Sequence, residues 1–118
     1  MFGFEKLEVW QKAIELTDAV YTLTRPFPSD ERFGLTSQMR RSCVSIASNI
    51  AEGSGRGSNP DFARFVEIAY SSLMELITQL KIAHRQGFVA QPGFDETYRQ
   101  SETIARMLSG LRSSLAKS

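Results

Sequence analysis

The chain carries one histidine and one cysteine, so acid–base, nucleophilic and metal chemistry all rest on very few side chains. His84 has Lys81 and Arg85 as local neighbours and no carboxylate close in sequence, which leaves it without the orienting partner a general base uses. It reads as a surface histidine near a helix end. Cys43 has no second cysteine to pair with, and its place among apolar residues at helical spacing makes it a small buried hydrophobe. Metal-binding bundles present Glu-x-x-His pairs from facing helices. Glu52, Glu67 and Glu75 are present, but no Glu-x-x-His occurs. No catalytic residue, metal site or cofactor is expected, and a metal-binding bundle enzyme stands only as an alternative.

The arginines are open to a different chemistry. In the run GSGRGS, from Gly53 to Ser58, backbone amides could form an anion nest beside the start of the next helix. Arg56 occupies its solvated middle, where it could reach a phosphate. The competing reading is a plain glycine-rich connector, since GxxxxGK[ST] is absent and no strand precedes the run. Arg40 and Arg41 lead a second polar group with Ser45, Asn49 and Glu52, spaced so that they share or border one helical face. Two readings stand for it. In the structural one, Arg41 pairs with Glu75 on the following helix, and Ser45, Asn49 and Glu52 complete a helix-packing network that sets register. In the functional one, Arg40, free of internal pairing, joins Arg56 and Arg85 in contacts to RNA or DNA.

These residues need helices to position them, and the periodicity supplies four. Leu35, Met39, Cys43, Ile46 and Ile50 recur at spacings of three and four, with Val44, Ala47 and Ala51 widening the stripe. Arg41, Ser45, Ser48 and Glu52 run along the other face of this second helix, which Gly53 is expected to end in the left-handed conformation. The first helix shows one apolar face at Leu7, Trp10, Ile14, Thr17 and Tyr21, and another at Val9, Ala13, Leu16, Val20 and Leu23. That width fits either a broad core face or contact of Val9, Leu16 or Leu23 with another subunit. Arg25-Pro26-Phe27-Pro28 ends it. Ser29 is expected to cap a short helical turn, Thr36 the second helix, and Asn59 the third, with Pro60 as its first residue.

Phe62, Phe65, Val66, Ala69, Tyr70, Leu73, Ile77, Leu80 and Ala83 hold one face of the third helix, while Ile68, Leu76 and Ile82 lie off it and point to a second contact. Gly87 closes that helix, and Gln91-Pro92-Gly93 reads as a turn before a fourth helix from about Phe94 to Leu115. Arg99, Arg106 and Arg112 follow one side of the fourth. With short connectors and no strand alternation, the fold class is all-α, an antiparallel up-and-down four-helix bundle forming a single domain over residues 1–118.

Composition narrows the function. A chain of 118 residues, 42% hydrophobic and 23% charged, suits one globular domain, and a net charge of +1 gives no strong global attraction to nucleic acid or anionic lipid. Local segregation of the 14 basic residues stays open. No apolar run is long enough to span a bilayer, and MFGFEKLEVW lacks the features of a signal peptide, so no membrane partner and a cytoplasmic location are expected.

The run SQMRRSCVSIASNIAEGSGR resembles the signature of the small four-helix-bundle proteins encoded in intervening sequences of bacterial 23S rRNA genes. LEVWQKAIELTDAVY, FPSDERFGLTSQMRR and FARFVEIAYSSLMEL extend the resemblance over most of the chain, and it weakens after Gly87. It implies a homopentamer without established enzymatic activity. It also implies kinship with the accessory variability proteins of diversity-generating retroelements, basic pentamers that work with a reverse transcriptase and nucleic acid. The expected function is therefore a non-catalytic homo-oligomeric adaptor or scaffold, with itself, RNA or DNA, or another protein as partner. A structural or selfish-element passenger with no nucleic-acid role is the alternative.

Overall fold

A computed structural model describes residues 1–117, a rod of 45 × 22 × 22 Å. Its four helices are α1 (Glu8–Thr24), α2 (Leu35–Ser54), α3 (Asn59–Arg85) and α4 (Gln91–Ala116), with short 3-10 turns at Gly3–Lys6 and Ser29–Glu31. No strand occurs among the described residues. Contacts run α1 to α2, α2 to α3, α3 to α4 and α4 back to α1, with none across the diagonal, so the bundle is of the up-and-down type. The α2–α3 contact is the most extensive.

The core takes the apolar stripe of every helix: Leu16 and Val20 from α1, Met39, Ile46 and Ile50 from α2, Leu73, Leu76 and Leu80 from α3, Ile104 and Leu108 from α4. Val9 and Leu16 both lie inside this core and are not available to another subunit, while Leu23 packs partly buried against it. Leu76 is likewise buried, whereas Ile68 and Ile82 stand exposed on the outside of α3. Phe27 and Phe88 meet at 5.5 Å between ring centres and close one end of the core.

Several helix ends depart from the sequence expectations. α2 passes through Gly53 without a left-handed residue and stops at Ser54. The glycine is there for space: a Cβ on it would lie 2.6 Å from Phe65 Cβ and 2.9 Å from Phe62 Cδ1. Its absence lets the start of α3 lie against α2. The start of α2 is served by Glu31, whose Oε1 accepts the Leu35 N–H at 3.1 Å, and Thr36 lies inside the helix. Ser29 makes no side-chain cap bond. Ser58, one residue before Asn59, caps α3 by accepting the Asp61 N–H at 3.3 Å. Gln91-Pro92-Gly93 forms the first turn of α4 rather than a loop, consistent with the tolerance of proline in the first turn.

Gly87 closes α3 as expected. Its φ is +82°, and the Phe88 N–H reaches the Ala83 carbonyl while the Gly87 N–H reaches that of His84, both at 3.0 Å. This is the paired arrangement that satisfies the last carbonyls of a helix.

Candidate functional site

The polar face of α2 divides into a buried seam and an exposed ridge. On the seam, Ser45 Oγ lies 2.8 Å from Ser72 Oγ across to α3, and Asn49 Nδ2 donates to the Ser45 carbonyl at 2.8 Å and to its Oγ at 3.1 Å. One turn earlier, Ser42 Oγ donates to Gln79 Oε1 at 3.0 Å. Small side chains permit this close approach, and each hydroxyl removed from water finds a partner. Ser45 and Asn49 thus form part of the expected network. Arg41, Glu52 and Glu75 do not: all three are exposed, and no ion pair joins Arg41 to Glu75 among the described residues. Arg41 and Glu75 only line the same shallow groove above the seam. Ser42, Ser72 and Gln79 escaped the sequence reading. Ser72 and Gln79 fall seven residues apart, close to the Phe65–Leu80 stripe of α3, and that spacing was the available signal.

The arginines exchange the roles expected of them. Arg40 is tied down: its Nε donates to Thr24 Oγ1 at 2.9 Å, an Nη donates to the Tyr21 carbonyl at 3.4 Å, and its guanidinium lies 4.5 Å from the centre of the Tyr21 ring. Thr24, only 1% exposed, is satisfied in both directions, since its hydroxyl also donates to the Val20 carbonyl at 2.8 Å. Sequence spacing placed Arg40 off the apolar stripe correctly but could not show that α1 ends beside it. Arg41, one residue on, is the exposed one.

Arg56 is exposed after the end of α2, with its guanidinium 4.6 Å from the Phe65 ring centre. Arg85 is exposed at the end of α3, on a different element from the other two. The three do not converge on one site.

A groove of about 600 Å3 between α1 and the first half of α2 gathers a different set: Arg32, Phe33, Arg40 and Arg41, together with Tyr21, Ser37 and Val44. Phe33 is 88% exposed, with the Arg32 guanidinium 5.4 Å from its ring centre. Next along the same face, Val44 joins Trp10, Ile14, Ala47 and Ala51 in a mainly apolar groove. On the far side of α2, Met74 and Ile82 line a shallow depression with Glu75 and Thr78.

His84 stacks on Phe94 with 4.4 Å between ring centres, a packed position near the end of α3. No group of three or more metal-ligating side chains gathers among the described residues. Burial pushes the Cys43 thiol above its ordinary value, and its Sγ donates to the Arg40 carbonyl at 3.2 Å. No helix among the described residues is long and apolar enough to cross a membrane.

Four helices joined in sequence order around one apolar core, with a serine-rich seam between the second and third, define a small up-and-down four-helix bundle. The chain belongs to the 23S rRNA-intervening sequence protein family, whose sequence model it matches over residues 5–110. Among solved structures it is similar to a protein of unknown function from Bacteroides thetaiotaomicron VPI-5482, described as from the S23 ribosomal protein family. The two are 22% identical over 88% of this chain and 97% of that one, with a TM-score of 0.79, a likeness of fold. No curated protein matches the chain.

Proposed function

We propose that the protein is a non-catalytic, self-associating scaffold whose assembled form holds nucleic acid through repeated clusters of arginine. The observation that carries the self-association is the distribution of exposed apolar side chains. Val44, 43% exposed, stands on the α1–α2 face, while Ile68 and Ile82, at 44% and 45%, stand seven-residue multiples apart on the outside of α3. These are unlike surfaces on different sides of α2. Contact between one copy's α1–α2 groove and the next copy's α3 ridge is heterologous, and heterologous contacts close into rings when the rotation per subunit divides the circle. The family resemblance supplies five as the count.

Within such a ring the net charge of +1 per chain is no obstacle to binding. Each copy repeats the same local arginine cluster, and linked weak sites act with high effective concentration. Native mass spectrometry tests the assembly. The wild type is expected as a homo-oligomer at micromolar concentration, and Val44→Glu or Ile82→Glu as a monomer with unchanged helical circular dichroism. A wild-type monomer under those conditions would refute the scaffold reading. Salt-dependent retention on nucleic acid separates a working scaffold from a passenger with no nucleic-acid role.

A further inference from the structure

The geometry points to a single-stranded nucleic-acid site in the groove between the Ser29–Glu31 turn and the first half of α2, with Phe33 as the base platform and Arg32, Arg40 and Arg41 as the phosphate contacts. This inference rests on the nucleic-acid part of the proposed function and assigns it a place and a preferred form of strand.

Charge is the first argument. Three guanidinium groups line the groove and no carboxylate does. None of the three is in an ion pair among the described residues, where the close pairs are Lys12–Glu15, Asp61–Arg64 and Glu96–Arg99. The nearby carboxylate of Glu31 is engaged, through Oε1, in capping α2. The groove is therefore a local concentration of arginine side chains outside any close ion pair, in a chain that is almost neutral as a whole. Arg40 is also preorganised: Thr24 and Tyr21 hold its side chain while it still lines the groove. A fixed planar fork loses little freedom on meeting a phosphate.

The ring of Phe33 is the second, independent argument, and it selects the single strand. It stands almost wholly in solvent at the groove's edge, and Arg32 beside it supplies a cation over the ring. An aromatic face next to basic side chains suits an unpaired base, because every base has a π-face while its phosphates follow the charges. A duplex has its bases already stacked on one another and presents no free face to Phe33. Neither contact distinguishes one base from another, so little sequence preference is expected.

Fluorescence anisotropy with labelled oligo(U), oligo(dT) and a duplex of matched length, at low salt and with the intact oligomer, tests the site. Single strands should bind more tightly than the duplex. Phe33→Ala, a change at an exposed position, should weaken single-strand binding roughly tenfold and leave duplex binding unchanged. Phe33→Trp should retain affinity, with emission beyond that of Trp10 quenched when the strand binds. Arg41→Glu should weaken single strand and duplex alike. Binding of either oligonucleotide that Phe33→Ala weakens supports the site, and their ratio identifies the kind of strand it favours. Unchanged single-strand affinity in Phe33→Ala overturns the groove while leaving nucleic-acid binding elsewhere intact. Failure of the wild-type oligomer to bind any of the three overturns both readings and leaves an acidic protein segment as the ligand of the arginines.

Discussion

At the scale of single residues, the α2–α3 seam sets what each polar side chain is worth. Ser45 and Ser72 share a hydrogen bond away from most solvent, and a bond of that kind contributes about 0.5–1.5 kcal/mol net. Ser45→Ala and Ser72→Ala should each lower stability by about 1 kcal/mol, and the double variant by less than their sum, because the second change removes a partner already lost. Glu52 is exposed, and Glu52→Ala should fall within about 0.5 kcal/mol of wild type. Urea melts of wild type and the four variants check both statements.

Cys43 gives a pH test. Its thiol is raised by burial, so its contribution is whole at neutral pH and below the ordinary thiol value, and is lost as pH rises through the higher native value. Cys43→Ala should therefore show a shallower loss of stability on the alkaline side, measured against wild type in the same melts. The seam was half legible from the chain: Ser45 and Asn49 announced themselves by spacing, but whether Arg41 pairs with Glu75 depends on the α2–α3 register, which spacing along one helix does not contain.

At the scale of elements, two glycines carry opposite meanings. Gly87 occupies a left-handed conformation at the end of α3, so Gly87→Ala should destabilise by about 1–2 kcal/mol. Gly53 is ordinary helix in a crowded place. Gly53→Ala gains helix propensity of about 1 kcal/mol, yet its methyl group meets Phe65 Cβ, an atom fixed to the backbone that no rotamer change can remove. Overpacking of this kind costs about 1–3 kcal/mol. A net loss in thermal melts is the expected result, with a gain in stability as the outcome that contradicts the packing.

From the chain alone both positions read as helix stops, because a glycine's reason for being there is invisible until the neighbouring helix is placed. The four helices themselves were legible, since each apolar stripe runs for several turns. Their caps were not, because adjacent candidates such as Ser58 and Asn59 differ only in which side chain points back at the first turn.

At the scale of the molecule, near-neutral net charge conceals segregation. Arg32, Arg40 and Arg41 share one groove, while charges such as Lys12 and Glu15 or Asp61 and Arg64 neutralise each other locally. Affinity for a single strand should fall steeply with salt, and each arginine removed from contact should flatten the log–log slope by about 0.7. Filter binding over a salt series with wild type and Arg41→Ala measures this. A slope unchanged in Arg41→Ala would show that this side chain makes no phosphate contact. The division of the outer surface into an apolar α1–α2 groove and an α3 ridge could not be read from periodicity, which reports only that a helix has apolar width beyond one stripe. α1 buries Val9, Ala13, Leu16 and Val20 while Trp10 and Ile14 line the outer groove, and α3 leaves Ile68 and Ile82 exposed.

The order in which the helices meet also fixes a sequence of events in time. Among the four helices every contacting pair is consecutive along the chain except α1 with α4, and bundles dominated by such local contacts fold in microseconds to milliseconds. The assembly proposed above would be a bimolecular encounter whose rate rises with concentration. Refolding should therefore separate into a fast rise in helical signal that ignores concentration and a slower growth in mass that follows it. Stopped-flow circular dichroism paired with light scattering would resolve the two phases. Between them each newly folded chain would be a complete bundle with Val44 and Ile82 still in water, and the length of that interval would be set by how many copies are present to meet.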